Sequence, residues 1–389
     1  MPVAGRYVRT VSGEKLAVKL TAADALALRM TSLLLRGGGG AGRPTGVAGV
    51  VRWFGAMQAQ DAASAMWSLG ARLPALTAAD VQAALERREA LRTWPMRGTV
   101  HLVPPRDARW MLEFLGARTL AGAAARRARL GLTDEVAERA VDVLAGALAG
   151  GQRLTRAQCL AALADAGIDC TGQRGYHLLW YASQRGVTCI APHLGNEQTF
   201  VLLDEWAPDP HRPERDEALA MIAVRYFRSH GPTTRQDFAG WTGLTAADAK
   251  KGIATAGTDL TTVEVDGKDM ILDPALLDAH RAGSVAVDED DLLALPGFDE
   301  YLLGFKDRSL MLAAGHKQAI IPGGNGVFQP TIVRGGRVIG TWKRSVARNR
   351  TVVTILPLVT ISASDRNRIE KALQPYARFT GQPVEARWP

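Results

Sequence analysis

Apolar residues recur along the chain with helical spacing, and each group of such segments is followed by two alternating segments that meet at a turn. Spacing at i, i+3 and i+4 predicts amphipathic helices, and strict alternation predicts half-buried strands. The succession of helices and a β-hairpin occurs three times before residue 285. It is typical of the winged helix, a variant of the helix-turn-helix. The alternative is a generic α+β protein with three hairpins.

Three groups of elements follow from this pattern. The first has helices at 22–35, 46–57, 62–69 and 78–87 and strands at 91–96 and 99–103. The second has helices at 156–166 and 172–185 and strands at 187–191 and 199–203. The third has helices at 216–229, 234–241 and 246–256 and strands at 260–265 and 270–272. We therefore predict three tandem winged-helix units over residues 15–130, 131–207 and 208–284.

The pentapeptide Leu-Thr-Ala-Ala-Asp occurs three times, with its threonine at Thr21, Thr77 and Thr245. A threonine before an apolar helical pattern is a favoured N-cap, because its hydroxyl accepts from an exposed backbone N–H. The aspartate three residues later favours the positive end of a helix. Each copy predicts a helix start. Chance recurrence in Ala-rich helices explains the repetition as well as true internal repeats do.

Beyond residue 285 the pattern changes to short alternating segments. Strands are predicted at 302–305, 309–313, 327–333, 337–343 and 351–356. A closing helix over 362–379 carries Ile369, Leu373 and Tyr376 on one face. Residues 285–389 therefore predict a small C-terminal β-barrel-like domain with a terminal helix, and the overall fold class is α+β.

Composition narrows the function classes. A chain of 389 residues is long enough for two to four domains. It shows neither a signal peptide nor an apolar run of membrane-spanning length, so we expect a cytoplasmic protein without a membrane partner. A net charge of +8 suits a polyanionic partner such as DNA. The Arg-rich, Ala-rich usage of a GC-rich genome would produce the same balance.

The sequence shows no pattern typical of a metal site, a disulfide or a redox-active cysteine pair. The three cysteines, Cys159, Cys170 and Cys189, are far apart and form no CxxC pair. We expect reduced thiols and no metal site, because structural zinc requires four closely spaced ligands. No Walker loop, HExxH motif or catalytic triad is recognisable.

Two glutamines stand out at the end of an apolar helix, in the segment Gln58-Ala59-Gln60. In an extended or turn backbone, side chains at i and i+2 point the same way. Glutamine cannot act as a base, but it can position a water through one acceptor oxygen and two donors. The alternative interpretation is a pair of surface glutamines at a helix end.

A second candidate segment follows at a strand turn. Alternation places Thr99 and His101 on one side of the strand, and Arg97 joins them around a turn that contains Gly98. We expect Arg97 and His101 to contribute to a cleft rather than to fold stability. The alternative is that His101 packs beside the sheet as a core residue.

These segments, in this order, resemble the tandem winged-helix family of bacterial DNA glycosylases, which excise alkylated purines and unhook interstrand crosslinks. Gln58-Ala59-Gln60 matches the family's Gln-aliphatic-Gln motif, although Ala59 is small for the aliphatic position. Further matches lie at 97–102, 295–302, 306–308, 325–328 and 340–342. The resemblance runs from about residue 21 to the end of the chain.

The resemblance implies a concave, positively charged channel with the catalytic residues Gln58 and Gln60 at its floor. The implied activity is hydrolysis of the N-glycosidic bond of purines alkylated at N7 or N3, without a cofactor. The implied partner is damaged double-stranded DNA, bound by a monomer that associates with the nucleoid. The predicted DNA-binding residues are Arg97, Thr99, His101, Tyr301, Lys306, Asp307, Arg308, Asn325, Lys343 and Arg344.

Two other functions remain open from the sequence. One is a non-catalytic winged-helix DNA-binding protein or transcription regulator, and the other is an inactive relative with another nucleic-acid role. A regulator usually pairs one winged helix with a dimerisation domain and binds a palindrome. Three units in one chain, together with the glutamine pair, favour the enzyme.

Overall fold

The computed structural model describes residues 18–36, 42–285 and 288–389. The predicted start of the first unit, at residue 15, lies outside the described residues. The described chain combines helices with three β-sheets, so the α+β class is confirmed. None of the helices described is long and apolar enough to cross a membrane.

The first part of the chain contains four helices and a hairpin. Its elements are β1 (Val18–Leu20), α1 (Ala22–Ser32), α2 (Val47–Phe54), β2 (Met57–Gln58), α3 (Ala62–Arg72), α4 (Ala78–Glu86), β3 (Leu91–Met96) and β4 (Thr99–Val103). Both hairpin strands have the predicted bounds. The prediction that a helix continues to residue 57 is wrong, because Gly55 ends α2 with a φ of 77° and the next residues join β4.

The middle of the chain adds helices that the sequence pattern did not predict. These are α5 (Ala108–Phe114), α6 (Ala117–Gly122), α7 (Ala124–Arg129) and α8 (Asp134–Leu148). They are followed by β5 (Leu154–Thr155), α9 (Arg156–Asp165), α10 (Arg174–Gln184), β6 (Thr188–Leu194), β7 (Glu197–Leu202) and α11 (Leu203–Trp206).

A third group of helices precedes the third hairpin. It consists of α12 (Arg215–His230), α13 (Arg235–Thr242), α14 (Ala246–Ala256), β8 (Thr261–Val265), β9 (Lys268–Leu272) and α15 (Pro274–Arg281). The predicted N-caps are confirmed, since Thr21, Thr77 and Thr245 each accept the N–H of the aspartate three residues later.

The C-terminal part differs most from the prediction. Its elements are β10 (Leu292–Leu295), α16 (Glu300–Leu303), α17 (Lys317–Ile320), β11 (Thr331–Arg334), β12 (Arg337–Ala347), β13 (Arg350–Pro357), α18 (Ala363–Ala372), α19 (Gln374–Thr380) and β14 (Val384–Arg387). The strands predicted at 302–305 and 309–313 are wrong, because Asp299 caps a short helix and turns follow it. The predicted closing helix is divided in two, with a proline in the first turn of α19.

The sheets connect parts of the chain that are distant in sequence. The first and second hairpins share one sheet of order β2-β4-β3-β6-β7-β5, and β1 pairs in parallel with β8. The C-terminal sheet has the order β10-β11-β12-β13-β14. Among the strand pairings of the described residues, none joins β10 to β14 and closes that sheet. The predicted units therefore share their sheets at two places.

The six-stranded sheet has a core on each face. One face contributes Leu91 and Val103 to a cluster with residues of α5, α12 and α13. The other face contributes Trp94 and Leu102 to a cluster that includes the C-terminal part. β2 is an edge strand of this sheet. Ala56, just before it, packs in the cluster with α12 and α13, and the N–H of Gln58 donates to Glu300 of the C-terminal part.

Candidate active site

The two candidate segments of the first part lie side by side. In the pairing of β2 with β4, Gln58 is opposite His101, and in the pairing of β3 with β4 His101 is opposite Thr93. Residues directly opposite across neighbouring strands share a face of the sheet. Gln58, His101 and Thr93 therefore form one row on the face that packs towards α12 and α13.

Gln58 is held through its backbone while its side-chain oxygen has no partner. Its N–H points away from β4 and donates to Oε1 of Glu300 at 2.8 Å. The residue is 8% exposed, and its side-chain Oε1 is shielded from water without a hydrogen-bond partner in the described structure. An unsatisfied buried acceptor costs about 1–3 kcal/mol. Such a group is a candidate for contact with a ligand.

Gln60 is exposed, and in contrast to Gln58 its side-chain oxygen is hydrogen-bonded. Its Oε1 accepts the backbone N–H of Val100 at 3.0 Å. Because only the oxygen of the amide can accept this bond, the orientation of the amide is fixed and its NH₂ group faces away from Val100. The two glutamines therefore differ: the Oε1 of Gln58 is buried without a partner in the described structure, whereas the Oε1 of exposed Gln60 is bonded to Val100.

His101 is completely buried between two fixed partners. Its Nδ1 lies 2.9 Å from the carbonyl oxygen of Thr99, and its Nε2 lies 3.2 Å from Nη2 of Arg97. The carbonyl can only accept and the guanidinium can only donate, so the ring is neutral with its proton on Nδ1. Burial and the charge of Arg97 lower the pKa of His101 to about 3. The ring is thus a fixed neutral group at physiological pH.

Arg97 reaches His101 because of the turn between β3 and β4. Arg97 and Gly98 adopt φ angles of 55° and 70°, a pair of positive values that is typical of a tight type I′ hairpin. The side chain then runs along α13, where a Cβ on Gly243 would lie 3.4 Å from its Cγ. Burial lowers the pKa of Arg97.

Lys306 joins the same surface from the C-terminal part. A Cβ on Gly240 would lie 2.8 Å from Cδ of Lys306, so the lysine stem crosses α13 at that glycine. Gly240 and Gly243 are three residues apart, so their Cα atoms lie close together at the end of the helix. The stems of exposed Lys306 and of Arg97 therefore both pass the same end of α13.

A buried carboxylate connects these parts. Glu300 is 1% exposed and accepts from the N–H of Gln58, from the indole N–H of Trp241 at 2.9 Å and from Nε2 of His230 at 3.3 Å. Burial alone would raise the pKa of Glu300, but the hydrogen bond from His230, its charge and the N–H of Gln58 together lower it to about 2. Glu300 is therefore ionised at neutral pH.

The remaining predicted residues fall into different environments. Tyr301 is fully buried, and its hydroxyl donates to the carbonyl of Gly336, so this conformation presents no part of it to DNA. Asp307 pairs with Lys268, and Arg308 donates to the carbonyl of Leu302. These contacts stabilise the loop that carries Lys306.

Asn325 is exposed in a turn, where its Oδ1 accepts the N–H of Val327 at 2.9 Å. It has no contact with the Gln58 row among the hydrogen bonds of the described chain. Thr99, in contrast, lies two residues before His101 on the same side of β4, and its buried Oγ1 has no partner in the described structure.

Lys343 and Arg344 lie on a projecting hairpin formed by β12 and β13. Every residue from 343 to 350 is exposed, and this stretch carries four basic residues and no acidic one. Val346 is 67% exposed within it. The hydroxyl of Tyr376 accepts from Nη1 of Arg344 at 2.8 Å, which orients the base of the hairpin.

The sequence analysis gave no role to Glu300, His230 or Trp241. Glu300 lies in a segment used for the resemblance, at 295–302, yet a carboxylate beside an apolar run carries no sign of its partners. The partners lie 242, 70 and 59 residues away in sequence. Only the tertiary structure brings them together.

Comparison with known proteins gives a consistent result. A family model described as DNA glycosylase AlkZ-like matches residues 51–379. The chain is 30% identical over 279 residues to an interstrand DNA cross-link repair glycosylase of Streptomyces sahachiroi. This alignment covers 69% of this chain and 73% of the relative. The solved structure of Streptomyces sahachiroi DNA glycosylase AlkZ superposes with a TM-score of 0.77 at 26% identity, covering 96% of this chain and 100% of that one.

The family match extends over both glutamines, the hairpin of β3 and β4, the three partners of Glu300 and most of the C-terminal sheet. Sequence and structure agree over most of the length of the chain. This chain therefore belongs to the AlkZ-like family of DNA glycosylases, enzymes that hydrolyse N-glycosidic bonds in DNA.

Proposed function

We propose that this glycosylase excises purines alkylated at N7 or N3 from double-stranded DNA, with Gln58 and Gln60 as its catalytic residues. One observation carries the proposal: Gln58 holds a buried side-chain oxygen without a partner, on a strand whose backbone is fixed on both sides. A group that is costly to leave unsatisfied is retained here beside a neutral histidine.

The proposed chemistry explains why neutral amides suffice. A purine alkylated at N7 or N3 already carries a positive charge and leaves without protonation by an acid. Loss of the base, which takes the bonding electron pair and becomes neutral, creates a cationic, oxocarbenium-like sugar; water attacks it and its surplus proton passes to solvent. The protein has to hold the water and stabilise positive charge, which are tasks of positioning and electrostatics. The oxygen of Gln58 would accept from the water and face the cationic sugar.

Gln60 would contribute differently. With its oxygen committed to Val100, its NH₂ group is the part available to the nucleotide. Two N–H donors can hold the oxygen of the water or an oxygen of the DNA backbone.

Gln58 would have to turn its oxygen towards the nucleotide. A rotation about the last side-chain bond of Gln58, whose torsion is broad, would bring its oxygen to the surface.

We also propose that the helices and hairpins form three winged-helix units, over 15–130, 131–207 and 208–284, followed by a barrel-like domain at 285–389. The order of helices and hairpins supports this division. The shared sheets modify it, since the first two units would be joined through β3 and β6. A monomer that encloses damaged DNA, in the cytoplasm and bound to the nucleoid, is the assembly we propose.

The DNA would lie along basic groups at two places. The projecting hairpin with Lys343 and Arg344 is one, and Lys306 at the end of α13 is the other. Phosphate contacts of this kind supply affinity without sequence preference. Because the Streptomyces sahachiroi relative is named for interstrand crosslink repair, we extend the proposal to crosslinks formed through alkylated purines.

The decisive experiment measures release of free 7-methylguanine from a duplex under single-turnover conditions. Gln58→Ala and Gln60→Ala should each lower the rate about 10²–10³-fold, the usual cost of removing one group that stabilises transition-state charge. DNA affinity should persist. Gln82→Ala is the matched control, since the amide of Gln82 on α4 bonds only Glu86 among the described side chains.

Two outcomes would contradict the proposal. If both alanine variants release the base at the wild-type rate, the glutamines are not catalytic. If the wild-type protein binds duplex DNA and releases no alkylated base, alkylpurine excision is wrong for this chain, and another lesion or a non-catalytic role replaces it.

A further inference from the structure

Glu300 accepts a backbone N–H that the edge position of β2 leaves without a partner strand. A strand at the edge of a sheet has outward-facing N–H groups without a neighbouring strand. Gln58 lies on this two-residue edge strand, and its N–H faces outward because the inward bond is made by Ala59, whose N–H donates to Val100 at 2.8 Å. The carboxylate of Glu300 takes the place of the missing strand.

The carboxylate is itself fixed by groups from the third part of the chain. Trp241 on α13 and His230 at the end of α12 both contact Oε2, which leaves Oε1 for Gln58. A carboxylate only accepts, so both rings donate to it. Three donors to one buried charge make up for the loss of water around it.

His230 has little freedom to move within this arrangement. Its ring stacks on Tyr226 with centroids 4.5 Å apart and meets Phe54 edge-on at 5.7 Å. On a third side, a Cβ at Gly304 would lie 2.4 Å from the ring, so the backbone packs directly against it. The network is therefore rigid, and it ends at the backbone of Gln58.

We propose that Glu300 is the positioning residue for Gln58: its carboxylate fixes the backbone from which the Gln58 amide contacts the reacting nucleotide. This inference rests on the proposed catalytic role of Gln58. In this proposal Glu300 touches no reacting atom, because it is buried at the edge of β2 and bonds the backbone of Gln58. Its effect on the reaction passes through Gln58, and this dependence can be measured.

The test is a double-mutant cycle on single-turnover excision of 7-methylguanine. Glu300→Gln keeps the shape of the side chain but replaces the charged acceptor and presents an NH₂ group to the donors. Misplacement of a catalytic group by about 1 Å costs on the order of 100-fold in rate, which is the loss we expect. In a Gln58→Ala background, Glu300→Gln should cause no further loss. An equal loss in both backgrounds would overturn the proposal, as would an unchanged rate in the single variant.

Asp107 provides the matched control. It is also a buried carboxylate that accepts an indole N–H, from Trp110 at 2.9 Å, and pairs with a cation, Arg225. It has no contact with Gln58. Asp107→Asn should leave excision near the wild-type rate while it lowers the melting temperature. If Asp107→Asn lowers the rate as much as Glu300→Gln does, the effect is general destabilisation and the proposal is wrong.

Two further measurements keep the result decisive. If Glu300→Gln does not fold, Trp241→Phe removes one donor to the carboxylate and keeps an aromatic ring; a folded Trp241→Phe variant with an unchanged rate overturns the proposal.

The amide resonance of Gln58, in protein with ¹⁵N-glutamine, gives a readout without activity. It should move upfield in Glu300→Gln as a charge-assisted bond weakens, and an unmoved resonance overturns the proposal. If wild-type protein releases no base, the resonance still tests Glu300 while the proposed function fails separately.

Discussion

The neutral state of His101 can be tested through the pH dependence of stability. Burial and the charge of Arg97 lower the pKa of this ring from 6.5 to about 3. As the pH falls through 6.5, the unfolded chain binds a proton on His101, whereas the folded protein binds it only near pH 3. The unfolded state therefore holds more protons throughout this window, and stability must decrease as the pH falls.

The magnitude follows from the width of the window. Each full pH unit of differential protonation is worth about 1.4 kcal/mol, so acidification from pH 6.5 to 4.5 removes on the order of 2 kcal/mol of stability through this one residue. The other buried histidine with a low pKa, His177 at about 4, changes stability in the same direction. The difference between wild type and a His101 variant isolates the contribution of His101.

The assay is thermal unfolding by calorimetry at pH 7, 6, 5 and 4.5, for wild type and His101→Gln. The variant should be less stable at pH 7, because a fully buried ring and the partner of Arg97 are lost. Its melting temperature should then fall less steeply with pH than that of wild type. His211→Gln, at a partly exposed histidine, is the control. Parallel pH curves for wild type and His101→Gln would refute the neutral buried ring.

Four other outcomes are expected. The logarithm of duplex DNA affinity should fall linearly with the logarithm of salt concentration, and affinity insensitive to salt would contradict an electrostatic interface. Lys343→Ala should lower affinity for all sequences alike and reduce that salt slope by about 1, whereas a sequence-dependent loss would indicate base contact. Arg72→Met leaves the buried carboxylate of Asp299 without its bidentate partner and should cost about 3–5 kcal/mol, measured as a lower denaturation midpoint; an unchanged midpoint would exclude the pair as a source of stability. The excision rate should be flat from pH 5 to 8, and a rate profile with a pKa near 6.5 would contradict a neutral His101.

The sequence predicts elements well where local pattern decides them. The bounds of β3, β4 and α14 agree with the prediction because alternation, a Gly-containing turn and a threonine N-cap define those elements locally. The helices over 108–148 were not predicted, although Thr133 is a recognisable N-cap for α8, because no hairpin directly follows them and the predicted units were defined by helices that lead into a hairpin.

The site was predictable in part. The resemblance implied that Gln58 and His101 both belong to one channel, and the pairing of β2 with β4 places the two residues opposite each other. The two-residue strand itself could not be predicted, since its extended backbone comes from pairing with β4 rather than from any pattern of its own. We expected His101 to contribute to a cleft rather than to stability. Because the ring is fully buried, we now expect its loss to lower stability as well. Glu300 could not be assigned because its partners come from two distant parts of the chain, Gln58 from the first and His230 and Trp241 from the third.

The distribution of charge around the site bears on which bases it would attack. At the row itself the groups are neutral: the amide of Gln58 and the ring of His101 offer a substrate no proton with a useful pKa. An uncharged purine needs protonation to leave, so this arrangement would not assist its departure. The charged groups, Glu300 and Arg97, lie behind or beside the row and are committed to other contacts. A cationic alkylated purine needs no proton, and under the proposed function the free oxygen of Gln58 would face the charge that passes to the sugar. Selection of damaged over normal bases would then follow from what the site lacks as much as from what it provides.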